Sequence, residues 1–74
     1  MKLDAARWRK ASDINREYAL FELVVGDIAV LDVGFDDDRR FEIAFNPAIG
    51  QIVDHWDRFE RLIQEGRALA EADM

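Results

Sequence analysis

His55 is the one side chain in this sequence with an ordinary pKa near neutrality, and it stands beside Asp54. A His/Asp couple performs hydrolysis when a nucleophile and an oxyanion site complete it. Here the chain has no cysteine and no threonine, and its single serine, Ser12, lies far away in an N-terminal stretch of weak pattern. His55 is therefore expected to be a surface or packing residue. Asp36, Asp37 and Asp38 suggest a hard cation, but a calcium loop spaces its oxygens around a turn glycine and adds a distal bidentate carboxylate. Three adjacent aspartates followed by Arg39 and Arg40 read instead as a solvated turn. Paired carboxylates for glycosidic chemistry need a cleft between them, and a domain this small has little depth for one. No catalytic residue, cofactor or metal ligand is expected, and the chain does not read as an enzyme.

Two charged patterns remain. Arg7-Trp8-Arg9-Lys10 interleaves an aromatic with cations, the local look of a single-strand nucleic-acid contact. The whole chain carries a net charge of −6, so direct nucleic-acid binding is not expected, and Trp8 is better read as packing while its neighbours stay in water. Residues 18–74 hold five basic against thirteen acidic side chains. Such a surface could imitate a nucleic-acid backbone, as inhibitors of the antirestriction, anti-CRISPR or toxin-immunity kind do, with Asp36, Asp37, Asp38 and Glu42 as its exposed part. Against this, Asp54/Arg58, Asp57/Arg61, Arg61/Glu65 and Arg67/Glu71 are spaced four apart and neutralise much of a helix face.

Seventy-four residues make one domain, and one that buries only roughly 60% of its unfolded surface. With no cysteine and one histidine, neither disulfides nor a zinc staple supplement the core. Half the residues are hydrophobic, which removes the disordered class. Residues 1–15 have no apolar run of the signal-peptide kind. The longest apolar stretches, Leu20–Val25 and Ile28–Leu31, are too short to span a bilayer. The expected setting is the cytoplasm.

The elements follow from periodicity. Tyr18–Val25, Ile28–Phe35 and Arg40–Asn46 read as strands, joined by a Gly26-Asp27 hairpin and the Asp36–Arg39 loop. Leu31, Val33 and Phe35 should face Phe45, Ile43 and Phe41. A three-residue first loop with a bulge is favoured, because it turns Phe21 and Leu23 inward and Glu22 outward. Ile52, Trp56, Phe59, Ile63, Gly66 and Ala70 then recur at helical spacing, with Asp54 as the expected N-cap. Gly66 either admits close packing or ends the regular helix.

The expected fold is α+β: a three-stranded antiparallel meander packed on one C-terminal amphipathic helix. The segments are an N-terminal arm or short helix (1–17), the sheet (18–46), a loop (47–53) and the helix (54–72). Phe41, Ile43 and Phe45 should meet Trp56, Phe59 and Ile63 in a dry interior. The opposite sheet face would carry Leu20, Val24, Ile28 and Val30, coverable only by an arm bearing Leu3 and Trp8. Left bare, those four residues with Trp8 would form an interaction surface for a protein partner or a second copy of the chain.

Overall fold

The sheet contains one more strand than the apolar periodicity announces. The computed structural model describes residues 1–74. It contains β1 (Arg7–Ala11), β2 (Leu20–Val25), β3 (Ile28–Phe35), β4 (Phe41–Phe45), a 3₁₀ turn (Pro47–Gln51) and α1 (Trp56–Ala72). The strands form a single antiparallel sheet in the order β1-β2-β3-β4. The architecture is α+β with one C-terminal helix, and the sheet has four strands rather than three. Of the two forms expected of the N-terminal segment, the short helix is absent and the arm is extended. Residues 7–11 are the extra strand, paired Trp8 to Leu23 and Lys10 to Phe21.

The register explains what is buried. Phe21 pairs with Val33 and Leu23 with Leu31, while Glu22 stands opposite Asp32 on the other face. The inward and outward residues of β2 are thus those the bulged reading requires, but the irregularity lies elsewhere. The turn is a two-residue hairpin, with Val25 opposite Ile28 and Gly26 at φ 62°. The register shifts between Leu23 and Val24, so Val30 is the extra residue of β3. Val30 and Leu31, neighbours in sequence, therefore both join the buried cluster with Leu3, Phe21, Leu23, Val33, Phe35 and Ala70.

β3 pairs with β4 as expected, Leu31 with Phe45, Val33 with Ile43 and Phe35 with Phe41. The Phe35 and Phe41 rings lie 5.3 Å apart at 57°, the tilted geometry aromatic pairs favour. The Asp36–Arg40 connection is closed by its first residue. The Asp36 carboxylate accepts from the backbone N–H of Asp38 and of Arg40, each at 2.9 Å, and Arg39 takes φ 62°.

Gly66 is buried and faces Trp8. A Cβ there would lie 2.5 Å from the indole ring, so the absent side chain is what lets α1 rest on β1. Lys10, on the same sheet face, reaches Asp73 just beyond the helix at 2.7 Å. The chain start is tied to the segment before α1: Met1 accepts from the Val53 N–H at 3.0 Å, and the Leu3 N–H donates to Asp54 Oδ2 at 2.6 Å.

Candidate interaction site

The surface expected to bind is largely unavailable. Val24 and Val30 are fully buried. The bulge turns Val30 inward, and the Arg7 side chain runs past Val24 to donate to the Gly26 carbonyl at 3.4 Å. Trp8 is half-buried against Gly66 on the helix side of the sheet, opposite to where a shared patch would need it. Leu20 is half-buried, and Ile28 alone of the five is exposed. The five residues do not come together as one surface.

The exposed aromatic side chains lie on the helix side instead, at the β4 margin. Phe45 is 60% and Trp56 65% exposed, and Val53, three residues before Trp56, is open too. Ile43, Trp56, Phe59, Glu60, Ile63 and Gln64 line a groove of about 230 Å³ between α1 and β4. Trp56 and Phe59 meet within it, ring centroids 5.9 Å apart and planes tilted by 38°. At its far end the Arg67 guanidinium lies over the Phe41 ring at 5.4 Å, so α1 runs antiparallel to β4.

This overturns the expectation that Phe45 and Trp56 are interior residues, and the cause is the fourth strand. Strands lie roughly 4.8 Å apart and a helix is only about 10 Å across. A helix centred on a three-stranded sheet covers it. Here α1 is drawn toward β1 by the Trp8–Gly66 contact, packs on β2 and β3, and leaves Phe45 of β4 uncovered while Phe41 and Ile43 stay half-buried. The signal that finds these residues is the helix stripe itself, whose first two turns carry more aromatic surface than the sheet beneath can cover.

The acidic residues are mostly committed. Asp36 closes its turn and pairs with Arg40 at 3.8 Å, and Glu42 pairs with Arg16 at 3.4 Å. Only Asp37 and Asp38 of the expected acidic surface stand free at the turn tip. On the helix, Asp54–Arg58 and Arg67–Glu71 form their ion pairs, whereas Asp57/Arg61 and Arg61/Glu65 do not.

Asp54 is not the helix N-cap. That position belongs to His55, whose side chain makes no capping bond. The Asp54 side chain, 3% exposed, accepts from the Leu3 N–H at 2.6 Å and from the His55 N–H at 2.7 Å, and faces Arg58 at 3.4 Å. The Leu3 bond, with help from His55 and Arg58, holds its carboxyl below the ordinary carboxylate range. His55 is exposed, without a nucleophile beside it.

Asp32 has the opposite problem. Its Oδ1 is buried with no hydrogen-bond partner, and Glu22 is its cross-strand neighbour. Desolvation first, and Glu22 second, push its pKa up. It borders a hollow of about 160 Å³ with Arg16, Leu20 and Glu42. No depression on the molecule exceeds about 230 Å³, short of the roughly 300 Å³ where small-molecule pockets begin. No group of three His, Cys, Asp or Glu side chains is placed to hold a metal ion. No helix is long and apolar enough to cross a membrane.

Comparisons with protein-family models, with curated proteins and with solved structures found no match to this chain.

Proposed function

We propose that the chain is a small, acidic, non-catalytic protein–protein interaction module of the cytoplasm, and that it binds through the α1/β4 groove. The observation that carries this reading is the exposure of Trp56 in a groove it lines with Phe59, Ile43 and Ile63, with Phe45 also exposed two residues along β4 from Ile43. A fold of this size has few aromatic side chains to spend on its core, and large exposed aromatics set in a groove are the usual anchors of protein contacts. The rim, Glu60 and Gln64, is polar, as interface rims are.

A second reading, an acidic inhibitor of a basic partner, is favoured by Asp37 and Asp38 standing free on a chain of net charge −6. Salt separates the two. Capture of a partner from native lysate at low and at high salt, with the natural chain, Trp56→Ala and a D37N/D38N pair, is the test. The groove reading expects capture that survives high salt and is lost in Trp56→Ala. The inhibitor reading expects steep loss with salt and sensitivity to D37N/D38N instead. Turnover by the purified chain, abolished on changing His55, would refute the non-catalytic reading.

A further inference from the structure

We propose that β4 is a self-complementary edge through which two copies of the chain pair about a two-fold axis at Ile43, joining their sheets into one. This rests on the α1/β4 margin being the binding surface, and it names the occupant of the open strand edge.

The two edges of the sheet are built differently. β1 presents Arg7, Arg9 and Lys10 within five residues, the charged protection that edge strands commonly carry. β4, Phe41-Glu42-Ile43-Ala44-Phe45, has one charge and no proline. Backbone direction can be read from the pairing. The Asn46 N–H donates to the Val30 carbonyl and the Arg40 carbonyl accepts from the Asp36 N–H. Even-numbered residues of this stretch therefore turn their backbone groups toward β3. By antiparallel alternation, the N–H and C=O groups of Phe41, Ile43 and Phe45 point out of the open edge.

A second copy answers that edge without adjustment. The apolar residues are symmetric about Ile43, so antiparallel pairing of Ile43 with its own counterpart sets Phe41 opposite the other copy's Phe45. These are hydrogen-bonded positions, so every outward N–H and C=O of the three residues finds a partner. On the opposite face Glu42 falls across from Ala44, not from another carboxylate. The two Glu42 side chains become diagonal neighbours, each already held by its own Arg16. The arrangement is isologous and closes at two copies, because β1 at both outer ends is guarded. Both α1/β4 grooves then lie on one face of the joined sheet.

A seam of five residues is about 17 Å long, shorter than a standard interface provides. The expected dissociation constant is accordingly on the order of 10–100 µM. Sedimentation equilibrium of the purified chain should show a monomer–dimer equilibrium in that range. Amide exchange should show Phe41, Ile43 and Phe45 gaining protection with concentration. Ala44 is exposed and allows a charge test. Ala44→Lys, opposite Glu42, should tighten the dimer and Ala44→Glu should loosen it, roughly tenfold apart. Phe45→Lys, which leaves the buried cluster intact, should give a folded monomer by circular dichroism. A monomer at 500 µM or above, about five times the weakest expected constant, overturns the proposal. So does a dimer whose outward amides exchange freely and whose constant ignores both Ala44 variants. A monomer that still captures a partner through Trp56 would remove the seam and leave the proposed function standing.

Discussion

Asp32 and Asp54 are the two carboxyls whose surroundings move them furthest, in opposite directions, and each makes a separate statement about stability. Asp54 ionises below its ordinary range because Leu3, His55 and Arg58 favour its charged form. Its contribution is therefore fully present above the unfolded value near ~3.9 and is lost as pH falls through the lower folded value. Asp54→Asn should lower the melting temperature at pH 7, and the deficit should shrink as melts are taken to acid, through the depressed folded value. A deficit that persists in acid would mean that shape, not charge, is what Leu3 recognises.

Asp32 carries the reverse sign. The folded chain binds its proton more tightly than the unfolded chain, so stability declines as pH rises through the raised value. Asp32→Asn removes the repulsion with Glu22 and offers Oδ1's place to a group that needs no charge. The carboxylate is only half-buried, so solvent screens much of the effect. A rise of roughly 2–4 °C in melting temperature at pH 7, absent at pH 3, is expected. An unchanged melting temperature at pH 7 would contradict the assignment.

At the level of elements, Gly66 is the informative position. On an isolated helix, replacing it by alanine gains about 1 kcal/mol. Here the new Cβ meets the Trp8 ring at 2.5 Å, and overpacking of that kind costs about 1–3 kcal/mol. Gly66→Ala should therefore destabilise by a net ~1 kcal/mol in denaturant unfolding, and Trp8→Leu should reverse the sign of the substitution. The helix, the places of both hairpins and the β3/β4 register were legible because their apolar periods are clean over five or more residues, but the first loop holds two residues where three were expected. β1 was not, because its inner face carries one apolar residue, Trp8, beside Lys10. A strand recruited by a single ring and a missing Cβ leaves no alternation to read. That omission propagated. With three strands, α1 would be centred and Phe45 covered. With four, the helix shifts, and the exposed aromatic surface falls at the β4 margin rather than on the outer face. The burial of Val30 was hidden for a similar reason, since the bulge position depends on how β2 and β3 twist together.

For the whole molecule, charge and apolar exposure are divided between opposite sides. The cations of β1 guard one edge, and Lys10 and Arg9 tie into Asp73 and Glu22. The acidic excess is spread over turns and the solvent side of α1. Of the six side chains lining the α1/β4 groove only Glu60 is charged, which is why partner binding there should tolerate salt. Trp56→Ala should cost little in folding, about 0.5 kcal/mol or less for a side chain this exposed, while abolishing capture. A large loss of stability would make Trp56 a core residue and refute the groove reading.

The bonds from Leu3 to Asp54 and from Lys10 to Asp73 span 51 and 63 positions. During synthesis β1 therefore precedes its anchors, Asp54, Gly66 and Asp73, by the length of the whole sheet. Until α1 emerges, Trp8 has no Gly66 to rest on, and β4 waits with both its face and its edge uncovered. The interval between translation of β4 and release of α1 is when crowded nascent chains of this protein are most prone to join one another.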